Sequence, residues 1–179
     1  LVGKRMEILH DAFPLARRIA FLHSESAANR IYLDIARRSA GVLKVDLVSV
    51  VIPETGGPAA AVDEAVRRGA DGITLNTSPL VRSQAPAISA RAAQYRVPLI
   101  YEDSAAVDGG GLMSYGPDRR RMARRTAVFV DRILRGARPG DLPVEEPRAI
   151  ELVVNLRSAR ALQVKIAQSV LVRADRVIE

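Results

Sequence analysis

"RIAFLHSESAANRIYLDIARRSAG", residues 18–41, is the stretch that sets the fold class. Its first six residues form a short apolar run that reads as a strand, and a polar loop, 24–29, follows. A helical period then runs through Arg38, with Ala28, Ile31 and Ile35 on the side expected to be buried and Gly41 as the expected stop. A strand that passes through a polar loop into a helix is the unit from which parallel sheets are built.

The same alternation recurs outward along the chain. "LKVDLVSVVI" (43–52) alternates in part, as a strand near a sheet edge does, and "PETGGP" (53–58) follows as a loop. A short helix over 58–68 turns Val62, Ala65 and Val66 inward. "DGITLN" (71–76) is the third strand, "TSPLVRS" (77–83) the next loop, and 80–95 the third helix. "VPLIYE" (97–102) and "GLMSYG" (111–116) are the fourth and fifth strands. Strands at this spacing predict an α/β three-layer sandwich with an open, mainly parallel sheet, helices covering both faces.

Composition changes once. "RGARPGDLPVEEP" (135–147) is rich in proline, glycine and acids and reads as a connector. Another strand, "AIELVVNL" (149–156), and short helical pieces to Glu179 complete the chain. Three parts are therefore expected: a ligand-binding lobe over 1–118, a crossover helix with its connector over 119–149, and a returning segment over 150–179.

With 179 residues, a substantial core is within reach; the few aromatics leave Ala, Val, Leu and Ile to fill it. Cysteine is absent, which removes disulfides and thiol chemistry. No apolar run approaches the roughly 18 residues of a membrane span. The net charge of +7 comes almost wholly from arginine, most densely in "RRRMARR" (119–125). Over 119–137, Met122, Thr126, Phe129, Val130 and Ile133 share one helical face, and the arginines largely occupy the other. Without interleaved aromatics or a helix-turn-helix pattern, the cluster reads as a solvated face, and no nucleic-acid partner is expected.

In an open parallel sheet, ligands bind beside the carboxyl ends of the strands. Those ends carry Ser24, Ser26 and Asn29; Asn76, Thr77 and Ser78; Tyr101, Glu102 and Asp103; and Ser114 and Tyr115. Hydroxyls, amides and a few carboxylates suit a small polar ligand. Each has a plainer role beside the ligand-binding one. Ser26 and its neighbours sit where helix caps sit, Asn76 to Ser78 where a turn sits, and Tyr101 or Tyr115 either stacks on a ligand or closes the sheet edge.

Signatures of catalysis are missing. His23, Ser24 and Asp103 make an unconvincing triad, since adjacent residues on one loop seldom face each other, and no Gly-x-Ser-x-Gly elbow is present. Glu102 and Asp103 lack the additional acids that a metal site would need, and no phosphate loop or dinucleotide fingerprint appears. The residues read as a binding module with no catalytic residue, metal or cofactor.

"GGGLMSYGPD" (109–118), "FVDRILRGARPGDLPVEEP" (129–147), "IELVVNLRSARAL" (150–162) and "LVRADRVIE" (171–179) together resemble the carboxyl-terminal part of the ABC-transporter substrate-binding family of TrpX-like proteins. "LVGKRMEIL" (1–9) resembles that family's passage into its second lobe. The resemblance implies one lobe of a type I periplasmic-binding fold, without the first lobe. It also implies a small ligand such as an amino acid bound in an interlobe cleft, an ABC permease and ATPase as partners, and a periplasmic or lipid-anchored location. Gly110, Gly111, Gly116 and Pro117, which bracket the fifth strand, become a candidate hinge. The crossover helix of 119–137 would lack its usual neighbour, and a homodimer through that face is expected. The alternatives are the ligand-sensing domain of a transcription regulator, which shares the fold, and a flavodoxin-like enzyme.

Overall fold

The apolar runs, each too short for a helix, pair into one sheet in a computed structural model that describes residues 1–53, 55–147 and 149–179. Glu54 of the "PETGGP" loop and Arg148 of the connector lie outside the described residues. The strands are β1 (Arg18–His23), β2 (Asp46–Val51), β3 (Gly72–Leu75), β4 (Leu99–Tyr101), β5 (Met113–Pro117), β6 (Ile150–Asn155) and β7 (Arg176–Ile178). Among the described residues they stand in the order β2-β1-β3-β4-β5-β6-β7. The first five run parallel, β6 is antiparallel to β5, and β7 is parallel to β6. An open, mainly parallel α/β sheet is therefore what the sequence folds into. The partial alternation of 43–52 is explained as well, because β2 is an edge strand.

The helices are α1 (Val2–Ala12), α2 (Ala27–Leu43), α3 (Gly57–Arg67), α4 (Pro79–Ser83), α5 (Ala85–Gln94), α6 (Ser104–Asp108), α7 (Arg119–Leu134), α8 (Leu156–Leu162) and α9 (Gln168–Leu171). Successive strand residues point to opposite faces, so β1 feeds two cores. Ile19 and Phe21 join Met6, Leu9, Ala36 and Val154 on one side, and Ala20 and Leu22 join Val62, Ile73, Ile88 and Leu99 on the other. Each large apolar side chain sealed in this way contributes roughly 1.5–3 kcal/mol.

Local structure departs from the sequence expectations in six places. The helix expected over 80–95 is two, α4 and α5, meeting at Gln84, with Pro86 in the first turn of α5, where its missing N–H costs nothing. A short helix, α6, separates β4 from β5, and the last residues form β7 in place of a helical piece. Gly41 does not stop α2, which runs to Leu43 and ends at Lys44 in the left-handed conformation, φ 56°. Ala28 and Ile31 are not buried: Ile31 is 64 % exposed, and the buried positions are Ala36 and Ala40 further along α2. Finally, α7 buries no residue at all.

Gly111 and Gly116 owe their places to close packing. A Cβ at Gly111 would lie 2.8 Å from the Tyr101 ring and from the Ala106 carbonyl oxygen, and one at Gly116 would collide with the Glu102 carbonyl oxygen. The fifth strand is thus pressed against the end of the fourth.

Candidate functional site

Because β1 to β5 are parallel, their carboxyl ends share one edge, and the polar loops expected to bind a ligand meet there. Hydrogen bonds and one longer ion pair link their polar groups in series. After β1, the Asn29 amide nitrogen donates to Ser24 Oγ at 2.9 Å and to the Ser24 carbonyl at 3.0 Å. Asn76, just beyond β3, donates through Nδ2 to Asn29 Oδ1 at 3.2 Å. Arg5 of α1 donates through Nη2 to Asn76 Oδ1 at 2.6 Å, and its Nη1 lies 3.8 Å from Glu102 Oε2 beyond β4. The same Glu102 oxygen accepts from the Thr77 amide at 3.1 Å. Three loops and one helix are locked together.

Sequence reading missed the central member of this series. Arg5 is 1 % exposed, and its Nε and Nη1 find no hydrogen-bond partner among the described residues. Burial lowers its pKa, and the charge of Glu102 opposes that shift. A signal was available: Arg5 lies on the stripe formed by Val2, Met6, Leu9 and Ala12, the buried face of α1. A charge on such a stripe is expensive unless something polar waits opposite it.

Other expected residues hold helix ends. Ser26 Oγ accepts from the Asn29 amide and caps α2, and Ser78 Oγ accepts from the Val81 amide and caps α4, each at 3.1 Å. Asp103 Oδ1 accepts from the Ala105 amide at 3.1 Å and caps α6. Its Oδ2 is buried, 3.3 Å from Arg82 Nη2 and 3.7 Å from Arg119 Nε. Both arginines lie outside the sequence-derived set.

Two expected residues are not brought to the edge. Tyr101 is 2 % exposed in the core, its hydroxyl donating to the Ala85 carbonyl at 3.1 Å and paired with Ser89 Oγ at 2.7 Å. Burial pushes its pKa up to about 12. Ser114 is wholly buried, and Tyr115 is half-buried against the core that contains Phe21. A strand-end position in sequence says little about depth. His23, stacked on Phe21 with ring centroids 5.4 Å apart, donates from Nδ1 to the Ser24 carbonyl at 3.2 Å. Its Nε2 pairs with Ser49 Oγ of β2 at 2.8 Å, so both ring nitrogens are engaged and one of them ties β1 to β2.

Two hollows open at this edge. One, of about 500 Å³, is lined by Thr77, Ser78, Arg82, Ser83, Glu102 and Arg119. A smaller one, of about 200 Å³, lies over Ser24, Glu25, Ser26 and Arg30. A hollow of similar size to the first lies away from the edge, between α7 and the segment around Glu145 to Ala149. It borders a helix that buries nothing, and none of the strand-end loops except that of Asp118 reaches it.

With the geometry in place, comparison with known proteins is decisive. Residues 1–178 match the family described as ABC transporter substrate binding protein. The chain belongs to that family. A Clostridioides difficile (strain R20291) relative named tyrosine-binding protein is 23 % identical over 165 residues, 92 % of this chain and 48 % of the relative. A solved Vibrio cholerae structure, a conserved domain protein, has a TM-score of 0.84 at 25 % identity and covers 98 % of this chain and 60 % of its own. A Streptococcus pneumoniae ABC domain solved with L-Trp has a TM-score of 0.83 at 24 % identity over 99 % of this chain and 60 % of its own. The chain thus spans about half to three-fifths of the length of these relatives. The family resemblance and its fold are established; the relatives' named ligands are aromatic amino acids.

Proposed function

We propose that this chain is the solute-binding component of an ABC importer and takes a small polar metabolite, an amino acid, at the carboxyl edge of its sheet, in what becomes an interlobe cleft. The observation that carries this reading is the polar chain Ser24–Asn29–Asn76–Arg5–Glu102–Thr77, hydrogen-bonded at every step except the 3.8 Å ion pair between Arg5 and Glu102. It holds amide and carboxylate groups from three loops in fixed positions at the edge where open α/β sheets bind ligands. Preorganised polar groups lose little entropy when a ligand arrives. The tyrosine and tryptophan named for two relatives suggest the ligand class.

On this reading the chain acts without catalysis, outside the cytoplasm, beside a permease and an ATPase. Among the described residues no helix is long and apolar enough to cross a membrane. The bracket of Gly110, Gly111, Gly116 and Pro117 serves as a hinge next to the site. The exposed Met122, Val130 and Ile133 of α7 favour self-association through 119–137, which sedimentation velocity tests through its concentration dependence.

The direct test of ligand binding is a backbone-amide NMR titration of the chain with the twenty amino acids, sensitive to millimolar affinities. Shifts concentrated at Ser24, Asn29, Asn76, Thr77 and Glu102 are expected for at least one aromatic amino acid. Flat spectra throughout, or shifts confined to other regions, would overturn the reading.

A further inference from the structure

We propose that the 500 Å³ cavity beside β3 and β4 is the carboxylate subsite of the ligand, formed by Arg82 and Arg119. This deepens the amino-acid reading above and rests on it. Four observations support it.

First, the two guanidinium groups come from different elements, the end of α4 and the start of α7, yet both line this one cavity. Second, one buried carboxylate oxygen, Asp103 Oδ2, lies 3.3 Å from Arg82 Nη2 and 3.7 Å from Arg119 Nε. Asp103 is itself fixed by capping α6 and is 6 % exposed. It therefore acts as a positioning residue that holds two flexible cations towards the same space. Third, those cations keep 48 % and 56 % of their side-chain surface exposed, so N–H groups remain for a second acceptor. Fourth, the charges around the cavity do not balance. Among the described residues Arg82 and Arg119 share one ion-pair partner, Asp103, while Glu102 in the wall pairs with Arg5, which leaves a surplus of one positive charge.

That surplus matches a single carboxylate. A cavity of this volume holds a small molecule, and planar guanidinium forks are suited to carboxylate oxygens. Ser78 and Ser83 in the wall supply further hydroxyls. Glu102 also lines the cavity and suits a ligand ammonium, but Arg5 already offsets its charge. The carboxylate is therefore the dominant anchor and the ammonium the lesser one. A ligand that carries only a cation meets two arginines and is repelled.

The experiment titrates the chain, by the same NMR measurement, with L-tryptophan, indole-3-propionate, which lacks the ammonium, and tryptamine, which lacks the carboxylate. Tryptamine is expected to bind roughly tenfold or more weakly than tryptophan, the scale of a charge-assisted hydrogen-bond pair. Indole-3-propionate should lose much less. R82Q and R119Q should each weaken tryptophan and indole-3-propionate while leaving tryptamine no weaker, and R135Q, at the far end of α7, should alter none of them. If tryptophan shifts the edge amides but tryptamine binds as well as tryptophan, or R82Q and R119Q leave its affinity intact, the subsite is wrong while the amino-acid reading stands. If no amino acid shifts any edge amide, the broader reading falls and takes the subsite with it.

Discussion

Two helices of this chain, α1 and α7, have opposite fates. The sequence advertises α7 more loudly, with Met122, Phe129, Val130 and Ile133 on one face and arginines on the other, yet none of its residues is buried. α1 buries Val2, Arg5, Met6, Ile8, Leu9 and Ala12. The difference lies in what each helix meets. α1 lies over β3, β4 and β5 and against α2 and α9, so its stripe closes one core. α7 leaves the end of β5 after Asp118 and contacts mainly the segment around Glu145. Amphipathicity states that a helix has a face to cover; only the surrounding topology says whether the cover is present.

The contrast extends to a pair of arginines. Arg5 in α1 faces Glu102 from inside the core, and desolvation lowers its pKa. Arg125 in α7 is hydrogen-bonded to Glu145 in the open and lies 5.2 Å above the Phe129 ring, and the hydrogen bond raises its pKa. The same two residue types thus make a costly buried contact in one helix and an inexpensive surface contact in the other.

The largest effect should come from emptying the α1 stripe. Leu9 is fully buried, and its Cδ2 lies 3.1 Å from where a Cβ on Gly72 would sit. Leu9→Ala is expected to cost about 2–5 kcal/mol in urea denaturation, the range for large-to-small core changes. A cost below about 1 kcal/mol would mean that α1 does not cover the sheet, and the contrast with α7 would collapse.

A second effect is set by pH, on the opposite face of the sheet from α1. Burial holds the Tyr101 phenol at a pKa of about 12, above its ordinary 10. The folded state therefore favours the protonated form. The resulting stability is fully present below pH 10 and is lost as pH rises towards and past 12, for about 2–3 kcal/mol in all. Denaturation midpoints at pH 9 and pH 12 should lie closer together in Tyr101→Phe than in the parent chain, since the variant has no phenol to ionise. An equal loss in both would assign the alkaline sensitivity to other groups.

These residues also mark how far the sequence could be read. Continuous apolar runs such as Arg18–His23 became the inner strands, because a strand buried on both faces needs no polar alternation. The partial alternation of 43–52 placed β2 at an edge for the converse reason. β7 escaped notice because three residues, only partly buried and paired on one side to β6, carry no periodic signal. Ile31 was misassigned because period gives a face but not how far along α2 that face is covered. At the edge, Ser24, Asn29, Asn76, Thr77 and Glu102 were legible as strand-end polar residues. Arg5, Arg82 and Arg119 were not, since they reach the edge from helices, and Tyr101 and Ser114 face inward despite their strand-end positions.

Replacing the buried charge tests whether Arg5 stabilises the fold or positions the site. Arg5→Met fills nearly the same volume without a charge. Removing one partner of a buried ion pair destabilises, but Glu102 keeps about a third of its side chain in solvent, so a loss of about 1–2 kcal/mol is expected. The amides of Asn76, Thr77 and Glu102 should also shift, and ligand affinity should fall, because Asn76 Oδ1 loses its 2.6 Å donor. A variant with unchanged affinity would reduce Arg5 to a space-filling member of the stripe.

The smallest expected effect is the one that defines α7. Val130 and Ile133 are 49 % and 40 % exposed, so truncating them removes little buried surface from the monomer. The double change Val130→Ser and Ile133→Ser should alter urea stability by no more than about 0.5 kcal/mol, as surface substitutions do. The measurement gains its force from being repeated across protein concentration. If 119–137 pairs with a second copy, the parent chain gains stability as concentration rises, by mass action, and the double variant does not. If both chains behave alike at every concentration, the face of α7 is not covered by its own counterpart. A loss of several kcal/mol at high dilution, in contrast, would show that α7 packs within the monomer. The two helices would then differ in degree of cover and not in kind.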